Sequence, residues 1–364
     1  MVSKGSRYGY VDALRGLAAL AVIYFHAGYD ALKHGRVNNG WEQSLFWLAT
    51  DQLDLGKIAV TLFFAISGFV IPFSLRRDGQ RPKEAFIVGR IFRLYPAYWL
   101  SLPAAFLVEY VMVGKDLGLG TFLVNLTMLQ GFVGQQSMQG LYWTLQIELI
   151  FYALCFGLFM FVDLRRPKVA TTMAALMLAC ALALAGLRFV TGKQVPVAIP
   201  LALFVMFIGL LWRLATVEAN LSARRAVMWL CSALLVLMPV IATLAYDEGA
   251  LRYTLTYYLA TGSFLLFTSR IKLTGAILAY LGTISYSVYL FGSLVQKTFE
   301  HFLAAWWQDL GLPLHLAIAG MMLVAIGIAS LVYRFVEAPA VTVGKAIIQR
   351  RLKTSPARAD AVAL

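Results

Sequence analysis

The chain is poor in charge. Only 13% of its 364 residues are Asp, Glu, Lys or Arg, while 60% are hydrophobic. Soluble domains carry about 25% charged residues, so this composition, with a mean hydropathy of +0.75, excludes that class. Cysteine is scarcer still. Cys155, Cys180 and Cys231 each fall inside an apolar run at no ligand-like spacing; they read as packing residues and imply neither a disulfide framework nor a metal site. No polar connection is long enough to make a separate domain. No internal repeat pairs one half of the chain with the other, which counts against the inverted-repeat transporters. The first apolar stretch is not expected to be a cleavable signal peptide, because it carries Asp12, Arg15 and His26 and lacks a clear cleavage site.

What the chain does have is length of apolar run. Ten stretches long enough to cross a bilayer fall at 11–29, 56–75, 94–113, 142–162, 170–190, 197–213, 227–246, 252–268, 275–298 and 314–336. They predict an all-α, polytopic membrane bundle of ten transmembrane helices. The net charge of +13 then has a topological explanation. With both termini cytoplasmic, 22 of the 31 Lys and Arg residues lie on the inner side, as the positive-inside rule requires. The basic excess orients the spans and gives no reason to expect nucleic acid as a partner. Residues 1–340 are expected to form the transmembrane domain and 341–364 a short basic cytoplasmic tail. The stretch 340–353, AVTVGKAIIQRRLK, is amphipathic and is expected to lie along the inner membrane surface. The longest outer connections are 30–55, 114–141 and 299–313; the longest inner one, 76–93, has turn signals at Asp78-Gly79 and Arg81-Pro82.

The first apolar run is the most informative. Arg15 and His26 are eleven residues apart, about three turns, so both leave one face of the helix roughly 16 Å apart along its axis. Asp12 falls within roughly 40° of that face. Each ionisable group at mid-membrane costs on the order of 3 kcal/mol. A helix carrying three of them on one stripe has a polar path to line.

Three further groups bear on chemistry. Arg90 and Arg93 share a face if the third helix begins near them, and two guanidiniums close to a helix N-terminus suit phosphate oxygens; the alternative is a topogenic cluster touching lipid headgroups. His26 and Glu148 come out at matching depths. A carboxylate there would orient the imidazole as a general base toward a hydroxyl, and the alternative is a structural pair or two residues that never meet. Ser67-Gly68, near mid-membrane, allows close helix approach or leaves room for a ligand arm. The outer aromatics, Trp41, Trp47, Tyr142, Trp143, Tyr246, Trp306 and Trp307, read as an interfacial belt.

Six motifs in order give the chain a resemblance to a known family. They are Asp12-Ala13-Leu14-Arg15-Gly16 with His26; Phe63 to Phe69; Arg90 to Arg93 followed by Leu94-Tyr95-Pro96; Trp143-Thr144-Leu145 with Glu148 and Phe151-Tyr152; Ile284 to Leu290; and Tyr333 to Glu337. Together they resemble the integral-membrane acyltransferase 3 family, most closely its exopolysaccharide O-acetyltransferase branch. The resemblance implies transfer of an acetyl group from cytoplasmic acetyl-CoA, a co-substrate with no resident cofactor, to a hydroxyl of an exopolysaccharide or its lipid-linked repeat unit. It assigns Arg15, Arg90 and Arg93 to the donor and His26 to catalysis. On this reading Glu148 supports His26, while Asp12 and Ser67 line the donor's path. The acyl-CoA donor, the lipid-linked or polymeric glycan and membrane lipid are the partners, in a bacterial inner membrane. The competing expectation is a transporter or flippase using His26, Glu148 and Arg15 as an intramembrane relay. One departure stands out: where many relatives place a second histidine after the Tyr289-Leu290-Phe291 motif, this chain has Gly292.

Overall fold

A computed structural model describes residues 8–75, 81–114, 118–246 and 249–353. Lys4, Arg7, Arg76, Arg77, Arg358 and the Asp78-Gly79 turn lie outside the described residues. In chain order the helices are α1 (Gly9–Lys33), α2 (Gly40–Trp47), α3 (Leu55–Val70), α4 (Pro82–Val111), α5 (Leu119–Asn125), α6 (Tyr142–Phe161) and α7 (Pro167–Thr191). After them come α8 (Ala198–Thr216), α9 (Leu221–Tyr246), α10 (Ala250–Ser269), α11 (Ala276–Phe302), α12 (Ala304–Asp309), α13 (Leu314–Val332) and α14 (Ala338–Lys353). There is no strand among the described residues.

All ten apolar runs are helices. Nine described helices are long and apolar enough to cross a membrane. The exception is α10, which covers the expected 252–268 span and is diluted by buried Thr254, Thr256, Tyr257, Thr261 and Thr268. Several of these hydroxyls bond back into their own helix, Thr254 to the Ala250 carbonyl (2.8 Å) and Thr256 to that of Arg252 (2.9 Å). Such i−4 bonds satisfy these hydroxyls where the polar helix packs against α3 and α9, while the buried Thr261 hydroxyl has no partner among the described residues. Helix α4 starts at Pro82, well before the apolar run at 94. Proline suits the first helical position, so Arg90 and Arg93 stand inside a helix.

Helix α8 is the centre of one half of the bundle. Pro200 to Leu211 are buried without a break, as a helix apolar on all sides must be, and α3, α7 and α9 surround it. Glycines set the closest crossings. A Cβ on Gly68 would overlap the Met206 carbonyl, and one on Gly209 that of Ala65, so the α3 and α8 backbones touch. In the other half, a Cβ on Gly16 would come 2.7 Å from that of Leu281, and one on Gly282 would overlap the Asp12 carbonyl. Helices α1 and α11 are thereby locked side by side.

The expected outer connection 114–141 turns back into the bundle over its described part. Tyr98 donates to the Asn125 carbonyl (2.6 Å) and Trp99 to that of Leu126 (2.9 Å). Trp99 lies twelve residues, roughly 18 Å, from the end of α4 at Val111. The buried Asn125 holds the segment's shape, donating to the Thr121 (2.8 Å) and Gln136 (2.9 Å) carbonyls and accepting from the Met138 amide (3.1 Å). Helix α6 therefore begins deep, with the Tyr142 hydroxyl 2.8 Å from that of Ser101.

Candidate functional site

A cavity of about 410 Å³ opens between α1, α3, α4, α6, α11 and α14. Arg15, Ser67, Arg90, Arg93 and Glu148 all line it. Five residues from four helices, each picked out in the sequence as a polar or ionisable group in or beside an apolar run, thus meet around one space. Asp12 does not line it; its carboxylate lies 3.4 Å from the Arg15 guanidinium and positions that group.

The three arginines are held differently. Arg90 donates to the Ser74 hydroxyl (2.8 Å) and lies over the rings of Tyr152 (5.2 Å) and Phe86 (5.5 Å). Arg93 is ion-paired to Glu337, a fully buried carboxylate whose other oxygen accepts from Ser287 (3.0 Å). Glu337 closes a five-residue π-helical turn, Tyr333–Glu337, a geometry frequent at functional sites. The two arginines expected at a phosphate site thus differ: Arg93 is ion-paired to Glu337, and Arg90 has no ion-pair partner among the described residues.

Glu148 and His26 do not form the expected pair. Tyr152, one turn on, donates to Glu148, and Glu148 lines the same cavity as Arg15, Tyr286 and Tyr289. The depth argument failed because it set the start of α6 at the outer boundary. Tyr142 is instead level with Ser101, eight residues along α4 from Arg93, roughly 12 Å by helix rise. Glu148, six residues further down α6 or roughly 9 Å, comes out near Arg93.

His26 stands at the other end of α1, outside the cavity, with its side chain exposed. Among the described residues neither ring nitrogen has a hydrogen-bond partner; the charged groups acting on it are Asp30, Asp54 and Lys297. Around them lies a polar cluster that the sequence reading missed. Lys297 is ion-paired to buried Glu109. Gln296 donates to Asp30 (2.6 Å) and to Glu300 (2.7 Å). Asp54 caps α3 through the Lys57 amide (3.0 Å). One signal for it was present: Asp30 is four residues after His26, on the same face of the helix.

The cavity approaches His26 from below. Gly56 abuts Phe25, with a Cβ there only 2.5 Å from the ring, and the cavity-lining Val60 is one turn further along α3, roughly 6 Å by rise. Phe63, Thr144 and Tyr289 form the cavity's ceiling. Tyr289 shares a hydrogen bond with Thr144 (2.8 Å) and packs edge-on to Phe63, with centroids 5.7 Å apart. Gly292, one turn beyond Tyr289 on α11, faces α1: a Cβ there would come 2.7 Å from Ile23. A histidine at that position would require the Ile23 side chain to move.

Comparison with known proteins gives the chemistry a class. The chain is 33% identical over 136 residues to the exopolysaccharide production protein ExoZ of Rhizobium meliloti (strain 1021), a match covering 34% of this chain and 41% of that protein. It is 29% identical over 171 residues to Nodulation protein 10 of Rhizobium leguminosarum bv. viciae, covering 41% of this chain and 43% of that one. The matches thus span about two fifths of each relative's length. No solved structure matches the chain. The acyltransferase domain family Acyl_transf_3 matches residues 8–334, nearly the whole of the described bundle. The chain is therefore a multi-pass membrane protein and belongs to the acyltransferase 3 family.

Proposed function

We propose that this acyltransferase takes acetyl from cytoplasmic acetyl-CoA and delivers it to a hydroxyl of an exopolysaccharide or its lipid-linked repeat unit, in a bacterial inner membrane. The observation that carries the reading is the arrangement along α1. A cavity with an arginine-bearing mouth lies at one end and an accessible imidazole at the other, roughly 16 Å away. The distribution of Lys and Arg supports a cytoplasmic position for the arginine end. A volume of about 410 Å³ lies in the range of small-molecule sites, about 300–1,000 Å³. The name of ExoZ adds support for a polysaccharide-linked acceptor.

In the proposed reaction the donor's phosphates engage Arg90 at the mouth, and the thioester arm extends past Arg15 and Ser67 toward the ceiling at Tyr289. His26 accepts the acceptor hydroxyl's proton as its oxygen attacks the thioester carbonyl. The C–S bond then breaks, the proton passes from the imidazolium to the departing sulfur, and the products are CoA thiol and an O-acetyl ester. Asp30, one turn away, favours the imidazolium formed in between. A proton relay through His26 and Glu148, the transporter reading, finds no support, because Glu148 is engaged by Tyr152 beside Arg15. Mass spectrometry of secreted and lipid-linked glycans from cells with the protein, without it, and with His26→Ala tests the proposal. Acetyl esters are expected only with the unaltered chain; unchanged acetylation in the His26→Ala cells would falsify the assignment of His26.

A further inference from the structure

The spans do not enclose the cavity by themselves. Val341, Lys345 and Ile348 line it, and their spacing of four and three residues puts them on one face of α14. This is the stretch whose amphipathic pattern suggested a helix lying on the membrane surface. It packs instead along α4. A Cβ on Gly344 would come 2.9 Å from that of Phe92, so the two helices are in close contact beside Lys345. Arg351 adds an ion pair to Glu84 (3.4 Å), and the Arg93–Glu337 pair fastens the turn leading into α14.

The charges at this mouth are unequally committed. Arg15 is paired with Asp12 and Arg93 with Glu337. Lys345 has no ion-pair partner among the described residues, and its side chain is exposed at the cavity's edge. A compact ammonium on a flexible four-carbon stem, left unpaired at the rim of a cavity, suits a phosphate that arrives and departs with each turnover. We infer that Lys345 of α14 is a ligand of the donor's phosphates and that α14 forms one wall of the donor site. This rests on the acyl-CoA reading above and extends it to a residue outside the six motifs.

The test compares two donors. Acetyl-CoA carries the phosphates, and S-acetylpantetheine carries the same thioester arm with none. Thiol release is measured with the full-length protein in native membranes that hold its acceptor. Lys345→Ala should raise the KM for acetyl-CoA roughly three- to tenfold, the range for one partly exposed charge-assisted contact, with kcat unchanged. Lys345→Arg should restore the KM, and the KM for S-acetylpantetheine should not move. An equal rise for both donors would make Lys345 a structural or lipid-headgroup contact, and no rise for either would remove it from the site; both outcomes overturn the inference. Failure of the unaltered protein to release thiol from acetyl-CoA overturns the donor reading itself, and the role of Lys345 with it.

Discussion

Two histidines near one end of the molecule have opposite surroundings. His315, at the start of α13, is held on every side. Its Nδ1 lies 2.6 Å from a Glu42 oxygen and its Nε2 2.9 Å from the Tyr24 hydroxyl. The ring is sandwiched between Trp41 (5.1 Å) and Phe46 (4.6 Å). The carboxylate is sealed from solvent and accepts also from the His315 amide (3.0 Å) and from Asn39 (3.2 Å). Carboxylate, imidazole and hydroxyl in line are the arrangement sought in a catalytic base, yet here both nitrogens are occupied and both faces covered. The assembly ties α2, α1 and α13 together. His26, two residues after Tyr24, has an exposed ring and only charges at a distance. A well-made acid–histidine contact marks the fixed member of the pair, and accessibility is what the role proposed for His26 requires.

That contrast is open to attack in four ways. The largest effect belongs to His26→Ala, expected to lower acetyl transfer at least about a hundredfold, within the range of general-base catalysis, with no change in thermal unfolding. A matching rate loss in His315→Ala at unchanged stability would reverse the comparison. Asp30→Asn comes next, with a drop of about tenfold expected in transfer rate, since one partner of the imidazolium is removed while its base remains. Wild-type turnover in that variant would leave Asp30 a purely structural ligand of Gln296. Third, Glu42→Ala should destabilise the protein by about 1–3 kcal/mol, the cost of an unsatisfied buried polar partner, seen as a lower unfolding temperature with transfer intact in the surviving fraction.

The smallest effect is a pH dependence. Burial by itself would raise the Glu42 carboxyl, but hydrogen bonds from the His315 ring and amide, from Asn39 and from the Leu314 backbone hold it below its ordinary value. A carboxylate depressed on folding adds stability that is complete above the unfolded value, about pH 4.3, and is lost as pH falls through the folded one. Unfolding temperature should therefore decline less steeply on acidification in Glu42→Gln than in the unaltered chain. Parallel acid profiles would show that Glu42 contributes nothing in this window.

Much of this was legible in the sequence, and the misses have physical causes. Hydropathy located all ten long helices because each must bury or face apolar surroundings along most of its length. Arg15, Ser67, Arg90, Arg93 and Glu148 share one cavity for a related reason: an ionisable or polar group in a span is expensive unless it has company. Rotation about a helix axis and depth along it were harder to read. Glu148 was assigned to the wrong level because nothing in 114–141 reveals that Asn125 and its carbonyl neighbours reach down to Tyr98 and Trp99. The partner of Arg93 was hidden by 244 residues of separation. Lys345 was read as one more topogenic cation because only the packing of Gly344 on Phe92 turns its face to the cavity. That Asp30 stands one turn from His26 on the same helix face needed no structure at all, only the four-residue spacing.

The glycine contacts between α1 and α11 have a mechanical consequence. Gly16 and Gly282 press the backbones together near Arg15, and Gly292 seats the Ile23 side chain against α11, one turn before His26. Two helices clamped at both ends behave as a single strut, so the interval between the arginine mouth and the imidazole is a fixed gauge. On the proposed reaction, the carrier does the travelling. Its reach, and the size of the group on its tip, are measured against a rod that does not give.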